Sequence, residues 1–199
     1  MGEISEQATN EAKQTLIDYE DFKDKVYKDT EGHLTVGWGH KLSDKEKKKY
    51  PEGYRFKGSE LDILKTWFTE DTNKAYNAAR DQVGQLKNPT QELVNSFTSV
   101  NFQLGTSWYK DVKYTDKSGK EQVKRGFTDA WKAMKAGDFT KASKELFWAN
   151  DTTHSKWYGS QSPDRVKDFA RSLLTHHVTV DKREMFPDEH IMKEVIVNP

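Results

Sequence analysis

The sequence contains no cysteine, which excludes disulfide staples and thiolate chemistry and fits synthesis in a reducing cytoplasm. No apolar run approaches the roughly 18–20 residues of a membrane span, and the stretch from Met1 to Tyr19 lacks the apolar core of a signal peptide. Membrane insertion is therefore not expected, and any export needs help. Internal repeats, low-complexity tracts and flexible linkers are also missing. Net charge is zero, with 32 Lys and Arg against 32 Asp and Glu. What remains is a 199-residue chain, enough for one ordinary domain with two lobes and a sizeable core.

The charge is unevenly spread. Residues 85–177 carry 15 Lys and Arg against 10 Asp and Glu, whereas the rest carries 17 against 22. An anionic polymer would prefer the basic segment, although scattered lysines also serve simply to solvate helices. The run from Lys45 to Lys49 lacks the interleaved aromatics that stack on bases, so no nucleic-acid partner is expected.

Hydrophobic periodicity predicts a mostly helical α+β chain. A first helix runs from an N-cap at Ser5 through Ala8, Ala12, Leu16 and Tyr19, and delivers Glu20 at its C-terminal end, where a carboxylate opposes the helix dipole. That unfavourable placement marks the residue for function. Two short alternating runs, Val26 to Lys28 and His33 to Trp38, flank the turn Asp29-Thr30-Glu31-Gly32 and predict a hairpin. Lys41 to Gly58 reads as a polar surface excursion. A long helix over about 59–84 carries Leu61, Leu64, Phe68, Ala75, Ala79 and Val83 on its buried stripe and is long enough to bridge two lobes. Asn88-Pro89 predicts the next helix start, with Gln91 at the capping-box position. Trp108 to Arg125 predicts a basic hairpin, and helices follow at Phe127 to Ala136, after Gly137-Asp138, and from Ser162-Pro163 to about His177. The stretch 178–199 is an acidic, mixed tail.

Two carboxylates in contrasting settings are what glycoside cleavage uses: one protonated to give a proton to the leaving oxygen, the other ionised to activate water or stabilise the oxocarbenium-like state. Glu20, at a helix end, and Asp29, on a hairpin, can fill those roles. Spacing alone says little in a chain with 32 acidic residues. His40 has no second ligand at metal spacing, so neither a metal nor a cofactor is expected, and a structural imidazole is the better reading. Gly37 and Gly39 allow a substrate or a backbone to approach closely, or serve a plain strand-end turn.

The context is more specific. Glu20, followed nine positions later by Asp29-Thr30-Glu31-Gly32 and then by Leu34-Thr35-Val36-Gly37-Trp38-Gly39-His40, closely resembles the catalytic hairpin of the phage-type lysozymes, family 24 of the glycoside hydrolases. Asn101-Phe102-Gln103-Leu104-Gly105 is a second match. The third is Lys156-Trp157-Tyr158-Gly159-Ser160-Gln161-Ser162-Pro163-Asp164-Arg165. The three occur in family order and cover about residues 12–175 with the connecting helix.

The resemblance implies a two-lobed lysozyme-like fold: a small hairpin lobe over about 12–58 whose first helix packs on the other lobe, a connecting helix over about 59–84, and a helical lobe over about 85–177. It implies Glu20 as general acid, Asp29 and Thr35 placing the attacking water, Phe102, Gln103 and Gly37 lining the substrate cleft, Arg165 paired with Glu20, and His40 paired with Asp71. The activity implied is a monomeric muramidase that acts on bacterial peptidoglycan without metal or cofactor. It would be made in a host cytoplasm and act on the wall, either free or carried by a virion. A lytic transglycosylase needs no placed water, and a non-catalytic wall-binding or virion structural module needs neither carboxylate; both are the alternatives. The sequence departs from the family pattern in three places: the longer basic segment 108–125, Lys41 where an apolar residue is common, and the tail. Within the segment, Lys110, Lys113, Lys117, Lys120, Lys124 and Arg125 are candidates to draw the enzyme to anionic envelope polymers.

Overall fold

The computed structural model describes residues 4–116, 118–150, 153–154 and 163–180. Lys117, most of the third motif and the tail from 181 onward lie outside the described residues. The fold is predominantly helical α+β, as the periodicity predicts.

Helix α1 spans Asn10–Tyr19 and is capped by Thr9, whose hydroxyl accepts from the Ala12 N–H at 3.1 Å. This corrects the expected cap at Ser5. The Ser5 N–H instead donates to Gln91 Oε1 at 2.8 Å, so the entering chain is tied to the other lobe before the helix begins. Three antiparallel strands follow: β1 Lys23–Lys28, β2 Leu34–Gly37 and β3 His40–Lys41. In their register Tyr27 and Lys41 both stand opposite Thr35, so these three side chains form one row across the sheet, because directly opposed residues share a face.

The stretch expected to be a polar excursion is part of the first core. It holds helix α2, Asp44–Lys49, whose capping box joins Ser43 and Glu46. Leu42, Tyr50 and Phe56 are buried in a cluster with Val26, Val36 and Leu64. The high charge between them masked the apolar anchors, which charged solvent-facing neighbours leave free to pack inward.

A short 3-10 turn, Gly58–Glu60, leads into α3, Leu61–Val83, which runs from that cluster into a second, larger one. Helix α4, Gln91–Leu104, starts after a Thr90 cap. The cap expected at Asn88 is displaced because Asn88 takes a left-handed turn with φ 52°, which leaves Thr90 to satisfy the first-turn N–H groups. Next come β4 Val112–Thr115 and β5 Glu121–Lys124 as a hairpin, then α5 Thr128–Ala136 and α6 Phe139–Phe147, which pack on each other. A small pair, β6 Trp148–Asn150 and β7 Thr153–His154, precedes α7, Pro163–Val180. Phe97, Val100, Met134, Leu146, Leu173 and their neighbours make the second core. Helix α1 lies against α4, fastened where Thr9 donates to Asn95 and Asn95 donates to Glu11. The end of α1, the three-strand sheet, α4, α7 and the β4–β5 hairpin thus all contribute residues to one groove.

Candidate active site

That groove is a cleft of about 870 Å³, lined among others by Glu20, Asp29, Thr35, Phe102, Gln103 and Arg165. Three sequence-distant motifs therefore meet at one surface, at least at the described end of the third.

Glu20 is the C-cap of α1: its N–H still donates to the Leu16 carbonyl at 3.0 Å, while its own backbone is extended, with φ −109° and ψ 121°. The side chain leaves the helix into the cleft and meets Arg165, from the first turn of α7. Both Nη1 and Nη2 donate to the same oxygen, Oε1, each at 2.9 Å. Arg165 is 3% exposed and Glu20 is 25% exposed at the side chain. Oε2 points towards Gly39, where an added Cβ would stand 3.6 Å from it and 3.9 Å from the Phe102 ring. Gly39 has φ +90°, a conformation that favours glycine. Gly37 is not among the cleft-lining residues and packs against Leu64, so Gly39 is the glycine that faces the carboxyl.

Asp29 opens the β1–β2 turn and is held by three donors, with the Thr35 hydroxyl beside it. Its Oδ1 accepts from the N–H groups of Glu31 and His33, at 2.9 and 2.8 Å. Its Oδ2 faces the Thr35 hydroxyl at 3.5 Å and the Lys41 ammonium at 3.3 Å. Burial alone would raise the Asp29 pKa, but the His33 N–H and the charge and hydrogen bond of Lys41 outweigh it, and the carboxyl is held below its ordinary range. Thr35 has one proton, and the His33 carbonyl is nearer than Asp29, at 3.2 Å. Donating there leaves the Thr35 oxygen to accept.

Phe102 and Gln103 come from the last turn of α4. Phe102 joins an aromatic row through Phe68 and Trp38 to Phe22, with centroid separations of 6.0, 5.0 and 4.5 Å. His40 Nδ1 lies 2.7 Å from Asp71 Oδ2 on α3, and the imidazole stacks on Trp67 at 4.5 Å. Burial lowers its pKa, but the hydrogen bond and charge of Asp71, aided by Glu46, raise it overall. Among the described residues no cluster of His, Cys, Asp or Glu could hold a metal ion.

Sequence reasoning missed two supports. Tyr19, next to Glu20, carries the Arg165 guanidinium over its ring at 4.6 Å, and its hydroxyl donates to Asp168. Burial, then that bond, push the Tyr19 pKa up. The signal was present: Arg165 and Asp168 are three apart on one helix and share a face. Glu31 was the other omission. It takes Lys41 at 3.0 Å and is drawn down in pKa chiefly by that bond, with the charge of Lys124 on β5, another cleft-lining residue, also contributing.

A family model described as phage lysozyme matches residues 17–160, well over half of the chain. No curated protein matches it.

Proposed function

The chain belongs to the phage lysozyme family, whose members are hydrolases that degrade peptidoglycan, and on that premise we propose that it is a muramidase cleaving the β-1,4 bond between N-acetylmuramic acid and N-acetylglucosamine. The observation that carries the reading is the unlike pair on one cleft. Glu20 is pinned through Oε1 alone, and Asp29 is a three-donor carboxylate with Thr35 beside it.

In this reading Glu20 is the general acid. Arg165 engages Oε1, so the proton sits on Oε2 and is given to the glycosidic oxygen as the C1–O bond breaks. Positive charge develops at C1. Water held between the Thr35 oxygen and Asp29 Oδ2 attacks C1 from the opposite face, gives its proton to Asp29, and leaves an inverted hemiacetal. The excess proton then returns from Asp29 to Glu20 through solvent. Phe102 supplies an apolar surface to a sugar face and Gln103 a hydrogen bond to its polar groups, while Arg165 orients the acid. His40 and Asp71 are structural, and the enzyme works as a monomer without cofactor.

We infer further that Lys110, Lys113, Lys120, Lys124 and Arg125 attract anionic envelope polymers towards the cleft, which Lys124 and Arg125 help to line. Lys117, assigned to the same group, lies outside the described residues. We also propose synthesis in a host cytoplasm and action on the wall.

The test is Glu20→Gln, which keeps size and one oxygen but cannot donate the proton. Turbidity clearing of a peptidoglycan suspension should fall by about 10²–10⁴-fold with the fold intact. Retained lytic activity would contradict the assignment.

A further inference from the structure

Lys41 has no task in the reading above, yet it is directed at the same carboxylate. Strand register puts it there. Tyr27, Thr35 and Lys41 stand in one row on β1, β2 and β3, and all three line the cleft. From the end of that row the ammonium reaches Glu31 Oε2 at 3.0 Å and Asp29 Oδ2 at 3.3 Å. Because both backbone N–H bonds fall on Oδ1, the oxygen Lys41 addresses is the one left to meet water.

We propose that Lys41 is a positioning residue, which holds the Asp29 carboxylate in its water-facing orientation and in its charged form by bridging Asp29 to Glu31. The inference rests on the reading of Asp29 as the base. An exposed ion pair by itself contributes little. Here the Asp29 side chain is only 17% exposed, although Lys41 is 54% exposed, and the strand pairing fixes the origin of the lysine stem. Lys41 also hides a second charge. The Asp29 charge makes Glu31 harder to ionise, like charges repel in both directions, and the ammonium between the two carboxylates offsets that repulsion.

The charged and titratable groups around Asp29 set what removal would do. Tyr27 faces it from β1, Glu31 and His33 from the turn, Lys41 from β3, and Glu20 acts on the same Tyr27 from the end of α1. Lys124 reaches Glu31 from β5. With Lys41 gone, Asp29 keeps its backbone donors but loses the nearest cation and gains an uncompensated carboxylate neighbour. It should then protonate at higher pH, and the acidic limb of turnover should move with it.

The experiment compares wild type, Lys41→Met, Lys41→Arg and Lys41→Met/Glu31→Gln on purified peptidoglycan as a function of pH, with the Asp29 carboxyl titrated in parallel by carbon-13 NMR. In Lys41→Met the acidic limb of kcat and the Asp29 midpoint should both rise by about one pH unit, with KM little changed. Arginine should restore both, and Glu31→Gln should recover part of the shift by removing the uncovered charge. An acidic limb and an Asp29 midpoint that stay at wild-type values in Lys41→Met overturn the proposal. Asp29→Asn separates the two failures: wild-type turnover in that variant overturns the assignment of Asp29 itself, and with it any catalytic task for Lys41, even where the NMR midpoint moves.

Discussion

His40 shows how one side chain joins three elements. Its Nδ1 meets Asp71 on α3, its Nε2 lies 3.5 Å from Glu46 on α2, and it belongs to β3. Since the folded pKa lies above the ordinary 6.5, the stabilisation is complete below that ordinary value and is lost as pH rises through the folded value. Asp71→Asn should therefore lower Tm most under mildly acidic conditions, by about 2–4 °C for a contribution of about 1 kcal/mol, and the gap to wild type should close as pH rises through the folded value. Thermal melts across that range check it. Comparison with the variant cancels groups that both proteins share. A gap that widens with rising pH would show that neutral His40 is the form the fold favours.

Elements explain why single-residue reading succeeds in some places and fails in others. The β4–β5 hairpin was legible because Val112, Tyr114 and Val123 flank a turn, and its base is closed where Gly126 and Arg125 both donate to Asp111, at 3.0 and 2.6 Å. A Cβ on Gly126 would run into the Lys110 backbone, so glycine permits that closure. Arg125 is thereby engaged with Asp111, and the lysines are the better candidates for contact with a polymer. Reversing Lys110, Lys113 and Lys120 to Glu should weaken wall binding about tenfold at low ionic strength, with the difference fading at high salt. Sedimentation with purified walls measures it, and equal binding at both salt concentrations would remove the hairpin from the account. Helix α2 was missed because a run of charges conceals Leu42 before it and Tyr50 after it. The Ser5 cap was misplaced because a tertiary tie to Gln91 took precedence, and the Asn88 cap because Asn88 turns left-handed before Thr90.

At the scale of the whole molecule, the catalytic reading depends on two cores held at a fixed offset by α3. Glu20 comes from a helix that packs on the second lobe, Asp29 and Thr35 from the first-lobe sheet, and Arg165 from α7, some 145 residues from its partner. The carboxylates were visible in the sequence as residues in contrasting local settings. Their convergence was legible only through the resemblance, because periodicity describes faces of elements and not the distance between them. Lys41 was visible as a departure from the pattern, but its direction follows from the β2–β3 register, which the predicted two-stranded hairpin did not contain.

The central claim is that water is the nucleophile and that Asp29 and Thr35 place it. Digestion of purified peptidoglycan in oxygen-18 water, followed by mass spectrometry of the released fragments, tests this directly. Attack by water predicts reducing N-acetylmuramic acid ends that each carry one oxygen-18 atom. Ends that are 1,6-anhydro and free of label would contradict it, since the muramic acid's own hydroxyl would then have displaced the leaving sugar.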